Sequence, residues 1–366
     1  MKRTLLILIG VLGLWNLQAT AQPAAAQPEE VRNVILMIGD GMGLGQVAAY
    51  MVEKRYAPVS FDRAQYTGIC KTYSANNRVT DSAASATAMA TGHKTDNSYV
   101  GMLPDSTVVA NLTELAKAKG LATGIVVTSH LTDATPSGFA AHVPNRHMSR
   151  EIAAMYVTAG IDLVAGGGRQ YFLPQENDPR NLLEQMQAQG YTYAATTEEF
   201  LAADRLPVIG LLADRYMERA PKRGDYLVRA TEHALNLLSQ HEQGFFAMIE
   251  GSQIDGACHD NNTAEMLAEM QDFDEAVNCA FDFADTHPGT LVVVVADHET
   301  GGLTIVSNKK DFTASESGID HKYSTTSHSG TPVVLYAYGA GAANFSGVME
   351  NTAIFDRIKA LLIDKQ

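Results

Sequence analysis

Apolar positions in this chain gather into short unbroken runs. Val34-Ile35-Leu36-Met37-Ile38 is the first, and it ends at Gly39-Asp40-Gly41-Met42-Gly43. Similar runs recur at 123–127, 162–165, 245–249, 291–296 and 333–338. A strand covered by helices on both faces of a parallel sheet reads this way, because neither face has room for polar side chains. Helical patterns lie between the runs, at 84–91 and 113–119 and most clearly at 264–283 and 352–363. The alternation predicts an α/β fold with a doubly wound, mostly parallel central sheet flanked by helices. The stretch 183–223 is more polar and reads as helical, peripheral cover. Residues 308–329, rich in Ser, Thr and Lys, read as a surface excursion.

The first residues follow another pattern. Met1-Lys2-Arg3 is basic, 4–17 is apolar but broken by Gly10 and Gly13, and Ala19-Thr20-Ala21 is a small-x-small cleavage site. This predicts a signal peptide over 1–21, a flexible lead over 22–30 and a single α/β domain over 31–366. The mature protein is then expected to be periplasmic or secreted. The leading run is shorter than the ~20 residues a membrane span takes. No later run reaches that length, so no membrane span is expected.

Acidic residues number 41 against 27 basic, a formal net charge of −14. A surface of that sign repels nucleic acid and anionic lipid. It repels phosphate esters too, so a site for them needs strong local cations, either metal ions or arginine. The three cysteines, Cys70, Cys258 and Cys279, are an odd number without zinc-finger spacing, and no function is assigned to them.

In such sheets ligands bind beyond the carboxyl ends of the strands, and the residues with chemistry to offer fall there. Asp40 follows the first run, Asp133 and Thr135 the second, Glu250 and Asp255 the run at 245–249, and Asp297 and His298 the run at 291–296. The i, i+4 spacing of Asp255 and His259 sets a carboxylate and an imidazole on one helical face. There both reach one metal ion, or simply form a surface pair. Asp297 leaves a run of aliphatics directly, so it needs a cation if buried, unless it caps a helix. Ser82 opens a helix of small residues over 82–88. It is either an ordinary N-cap or a nucleophile whose anion the helix amides stabilise. His328, in a polar loop, carries little weight alone.

Taken together, Gly39-Asp40-Gly41-Met42-Gly43, the block from Thr80 to Ala88, Asp133-Ala134-Thr135-Pro136, Asn145-Arg146, Glu250 with Ile254-Asp255 and His259, Ala296-Asp297-His298 and His328-Ser329-Gly330 resemble the alkaline phosphatase family. They stand in the family's order and cover the chain from about Val34 onward. The resemblance implies an alkaline phosphatase-like sandwich that hydrolyses small-molecule phosphate monoesters through a phosphoserine at Ser82. Phosphate scavenging outside the cytoplasm is the role it suggests. It implies two Zn2+ and one Mg2+ as cofactors. Asp40, Asp297 and His298 would hold one zinc, and Asp255, His259 and His328 the other. Asp40, Thr135 and Glu250 would hold the magnesium. Arg146 would grip two phosphate oxygens with its planar fork, and Asp133 would stand just behind the metal ligands.

Two departures from the family pattern matter. Many relatives carry a lysine or histidine directly after the carboxylate matching Asp255, where this chain has Gly256. Asp133 then lacks its partner and is expected to turn to the magnesium shell or to solvent. Product phosphate is expected to bind more weakly than in lysine-bearing relatives; neither His93 nor Lys94 is placed by the sequence as a substitute. The segment between His298 and His328 is also short, so the crown is small or absent, and homodimer and monomer both stay open. A diesterase or sulfatase of the wider superfamily is the first rival. The stretch after Ser82 lacks the Pro and Arg of a sulfatase C/S-x-P-x-R motif, and Arg146, Thr135 and Glu250 favour a monoester. A non-catalytic binding protein would have lost a ligand or the nucleophile, and none is missing. A phosphate mutase inside the cell does not fit an exported chain.

Overall fold

The computed structural model describes residues 30–307 and 320–365. The expected signal peptide over 1–21, residues 22–29 of the lead and residues 308–319 lie outside them. The expectation of a small or absent crown falls partly on that last stretch.

Ten strands form one sheet: β1 (Asn33–Gly39), β2 (Tyr66–Lys71), β3 (Ala122–His130), β4 (Leu163–Gly167), β5 (Thr192–Ala194), β6 (Val208–Ala213), β7 (Phe245–Gly251), β8 (Thr290–Val295), β13 (Val333–Gly339) and β14 (Gly347–Glu350). Their spatial order is β14-β2-β13-β8-β1-β7-β3-β4-β6-β5. Within that sheet β13 runs antiparallel to both its neighbours, and the other pairings are parallel. Short strands make two side ladders: β9 (Glu299–Thr300) with β12 (His328–Ser329), and β10 (Thr304–Ile305) with β11 (His321–Lys322). Two groups of helices flank the sheet. Leu44–Glu53, Tyr226–Leu238 and Thr263–Thr286 pack together; so do Ser82–Thr91, Ala134–Gly138 and Thr352–Ile358. This is the doubly wound, mostly parallel α/β architecture expected. Apart from Asn33 at the start of β1, strands β8, β1, β7 and β3 are buried along their whole length, as their apolar runs require.

The stretch 183–223 is more than peripheral cover. It contributes β5 and β6, which extend the sheet beside β4. Val208-Ile209-Gly210-Leu211-Leu212 is a strand by pairing, but polar neighbours and a central glycine dilute its pattern. β2 was also hidden, because its burial alternates and Tyr66 and Ile69 are exposed. The last helix holds α-helical form over Thr352–Ile358 and widens into a π-helical turn over Lys359–Ile363.

Register fixes where the site lies. Ile38 of β1 pairs with Glu250 of β7 and with Val295 of β8, and Val127 of β3 pairs with Glu250. Asp40, Glu250 and Asp297 therefore leave neighbouring strands at nearly one level. The segment after β6 closes over this edge and is pinned by Arg223. That side chain is almost fully buried and reaches Glu269 Oε2 at 2.5 Å and Asp272 Oδ2 at 2.6 Å. The Ala220 N–H also donates to Glu269 Oε1, at 2.9 Å. Replacing Arg223 would leave two carboxylates buried without a cation. Arg223→Met is expected to lower the free energy of unfolding in urea by about 3–5 kcal/mol; a loss below 1 kcal/mol would show that the triad does not pin the segment.

Candidate active site

The helix at Ser82–Thr91 is capped by Asp81, whose Oδ1 accepts from the Ala84 N–H at 3.0 Å. Because Asp81 takes the capping role, the Ser82 hydroxyl is left free at the first helical position, where backbone amides and the helix dipole favour an anion. Ser82 Oγ lies 3.1 Å from His298 Nε2, and Ser82 is 2% exposed.

Around that nitrogen the carboxylates converge. His298 Nε2 is 3.1 Å from Asp297 Oδ2 and 3.5 Å from Asp40 Oδ1. Asp297 does not cap a helix. Its Oδ1 accepts from the N–H groups of Gly41 at 3.1 Å and His298 at 2.9 Å. Gly41 has φ +72°, and a Cβ there would sit 2.8 Å from Asp255 Cα, so only glycine lets this turn come so close to the helix that carries Asp255.

A second cluster adjoins the first. Asp255 and His259 share the helix Gln253–His259, and the His259 Nε2 to Asp255 Oδ2 distance is 3.2 Å. His328 arrives on β12 with Nε2 3.6 Å from Asp255 Oδ1 and 3.2 Å from His259 Nε2. All three imidazoles are aimed by their other nitrogen. Nδ1 of His259 bonds the Thr326 carbonyl at 2.7 Å, and that of His328 the Thr80 carbonyl at 2.9 Å. In His298 Nδ1 meets Thr300 Oγ1 at 3.2 Å. Metal-binding histidines are oriented in this way.

The donor set fits cations. Asp40 Oδ1, Asp297 Oδ2, Thr135 Oγ1 and Glu250 Oε2 are buried and have no hydrogen-bond partner among the described residues. Such orphans are costly unless something absent from the protein chain completes them. Ligand atoms of Asp40, Asp297 and His298 lie within 4.8 Å of one another, as do those of Asp255, His298 and His328. His298 thus stands between the two clusters. Burial, followed by the charges of Asp297, Asp255 and Glu250, pushes the Asp40 carboxyl well above the usual carboxylate range. Burial and then the charge of Asp133 do the same to Glu250. The hydrogen bond to Asp255 raises His259 to about 9, while burial and the charge of His298 depress His328 to about 4. A metal-free site would have to take up protons, whereas divalent cations would balance the carboxylates directly.

Arg146 and Asp133 sit at the rim. The guanidinium is 3.4 Å from Asp81 Oδ2 and 3.5 Å from Asp133 Oδ1. The Tyr216 hydroxyl donates to Asp133 Oδ2 at 2.8 Å. Asp133 is partly exposed, and its partners are Arg146, Tyr216 and the Ala134 N–H, which donates to its Oδ1 at 2.8 Å. Gly256 is covered by Arg219, whose Nη2 would lie 2.9 Å from a Cβ there. Arg219 is itself held by Glu265 at 2.9 Å and Asp260 at 3.3 Å. Lys94 points elsewhere, its Nζ donating to the Tyr73 carbonyl at 2.6 Å. Asp40, Asp133, Arg146, Tyr216, Arg219 and Asp255 line a cleft of about 540 Å³. Sequence reasoning missed Asp81, Tyr216, Arg219 and Thr300. Asp81 was legible as a cap three residues before a helical amide; the other three had no local signal.

The alkaline phosphatase family profile matches residues 31–322. The chain belongs to the alkaline phosphatase family. Alkaline phosphatase 4 of Bacillus subtilis is 37% identical over 319 residues, which take in 82% of this chain and 68% of the relative. Alkaline phosphatase 3 of the same organism is 39% identical over 298 residues, 76% of this chain and 63% of the relative. The chain thus spans about two thirds of those two curated relatives. The Escherichia coli alkaline phosphatase is 32% identical, with 94% of this chain and 89% of that one aligned. The solved alkaline phosphatase of the Antarctic bacterium TAB5 superposes with a TM-score of 0.86 at 37% identity, covering 93% of this chain and all of that one.

If cations complete the orphaned oxygens, their removal costs stability. Dialysis against a chelator is expected to lower the thermal midpoint, and zinc with magnesium to restore it. A cation held at a thousand times its dissociation constant is worth about 4 kcal/mol. An unchanged midpoint would sink the metal assignment.

Proposed function

We propose that this alkaline phosphatase family member hydrolyses phosphate monoesters to alcohol and inorganic phosphate through a phosphoserine at Ser82, as a phosphate scavenger outside the cytoplasm. The observation that carries this is the Ser82 hydroxyl, freed from capping and set 3.1 Å from His298 Nε2 beside carboxylates with unpartnered buried oxygens.

Asp40, Asp297 and His298 would hold one zinc, Asp255, His259 and His328 a second, and Asp40, Thr135 and Glu250 a magnesium. Carboxylate and hydroxyl oxygens suit the hard magnesium ion, and mixed nitrogen and oxygen sets suit zinc. When bound there, the cations supply Lewis-acid charge stabilisation and lower the pKa of a hydroxyl or water beside them.

The rest follows from the chain's own groups. Ser82 Oγ attacks phosphorus, its bond to phosphorus forms and the bond to the alcohol oxygen breaks, the hydroxyl giving up its proton and the departing oxygen taking one up to leave as the alcohol. The helix amides behind Ser82 stabilise the negative charge that gathers on the phosphoryl oxygens. Water then displaces Ser82 from phosphorus, releasing inorganic phosphate and returning the hydroxyl. Two in-line displacements give net retention at phosphorus. Arg146 faces the cleft with its fork oriented by Asp81 and Asp133, and it meets two phosphate oxygens in both steps. A monoester presents one more anionic oxygen than a diester, and this set of cationic donors is built to meet it.

The deciding assay compares a chromogenic phosphate monoester with a diester, with and without chelator. Metal-dependent monoester turnover that falls by on the order of 10³-fold or more in Ser82→Ala is expected. Diester cleavage in place of monoester cleavage would reject the reading. Arg146→Ala is expected to raise KM by about tenfold to a hundredfold, the loss of a charge-assisted pair; an unchanged KM would remove Arg146 from phosphate binding.

A further inference from the structure

Beside the metal cleft lies a second cavity, of about 550 Å³, which shares three of its lining residues, Asp133, Arg146 and Tyr216. The shared residues form the boundary between the two, and Tyr216, half exposed, is the ridge between them. The other lining groups include His130, His147 and Arg215. In a chain of net charge −14, three arginines, Arg146, Arg150 and Arg215, meet two carboxylates, Asp133 and Glu151, in this lining, which runs against the prevailing sign.

The charges in the cavity are not all spent. Arg150 is, since its Nε reaches Asp178 at 2.7 Å and its Nη1 donates to the Tyr171 carbonyl at 2.6 Å. Asp133 is also engaged, by Arg146 and Tyr216. Glu151 brings one exposed negative charge to the wall. Against it, the Arg215 guanidinium makes no ion pair or side-chain hydrogen bond among the described residues, and neither does the His147 ring. His130 is buried, with Nδ1 3.0 Å from Thr132 Oγ1 and its ring edge-on to Tyr216 at 4.7 Å. Its Nε2 has no partner among the described residues. Arg215 is close: burial and then, against Asp133, the charges of Arg215 and Arg146 hold His130 below its ordinary pKa.

We propose that this cavity is a subsite for a second phosphoryl group of the same substrate, so that the protein prefers small bisphosphorylated alcohols to simple monoesters. One phosphoryl group enters the metal cleft while the other crosses the Tyr216 ridge and meets the free fork of Arg215, with His147 and the open nitrogen of His130 as further donors. A planar guanidinium without a protein carboxylate to hold it is matched to such an oxyanion pair. This rests on the phosphomonoesterase reading above, and Arg215 acts on specificity while the machinery around Ser82 is left alone.

The test uses two substrates that differ by one group, 3-hydroxypropyl phosphate and propane-1,3-diyl bisphosphate, with the metal-loaded full chain. The wild type is expected to show the higher kcat/KM on the bisphosphate. Arg215→Ala should raise KM for the bisphosphate by about tenfold, the value of one charge-assisted pair, with KM for the monophosphate and both kcat values unchanged. Arg215→Lys should recover part of the loss. Equal rises for both substrates, or none for either, would overturn the subsite. If the wild type turns over neither ester, the phosphatase reading falls instead. Calorimetric binding of the bisphosphate to wild type and Arg215→Ala then judges the subsite by itself, and equal affinities would overturn it.

Discussion

Negative charge buried without a partner is the constraint on which this structure depends. Asp40, Glu250 and Asp297 leave three adjacent strands at one level, and each keeps a buried oxygen without a hydrogen bond among the described residues, those of Asp40 and Asp297 facing only His298 Nε2. Removing a carboxylate from water is expensive unless positive charge accompanies it. The protein offers imidazoles, of which His298 is the most central and is fully buried. Three histidine rings cannot balance this many carboxylates, which makes the set a fit for divalent cations. The same imbalance that costs stability is what suits these groups to hold cations.

The surrounding shell holds that arrangement in place. Asp81 caps one helix, frees Ser82 and touches Arg146 with its second oxygen. Backbone carbonyls at Thr80 and Thr326 turn His328 and His259 inward. Arg146 answers to two carboxylates, and the second of these, Asp133, is fixed in turn by Tyr216. Tyr216 and Arg219 belong to one segment that β6 launches and the Arg223 triad ties down. The edge of the cleft thus depends on a buried ion network in a part of the chain that reads as mere cover.

Gly256 illustrates how local absence and spatial presence differ. Position by position, the chain lacks a cation after Asp255. In space, the Arg219 guanidinium lies over that glycine, and Asp133 takes Arg146 and Tyr216 as partners. A missing side chain at one place was met by side chains from another strand connection.

Local chemistry made much of this protein legible from its sequence. Continuous apolar runs at 34–38, 245–249 and 291–296 specify strands buried on both faces, because no other common element hides so many aliphatics in so few residues. The residues just past those runs supplied the candidate site, since strand ends of a parallel sheet all open on one edge. What tertiary structure alone decided was whatever depends on pairing between distant segments. β2 and β6 have no unbroken pattern of their own and become strands only beside β13 and β4. Tyr216, Arg219 and Thr300 have no neighbours in sequence that mark them; their partners Asp133, Gly256 and Asp255 are set beside them by the crossover connections of the sheet. Side-chain type and spacing determine which groups exist and which edge they reach, while register and loop closure determine which of them meet.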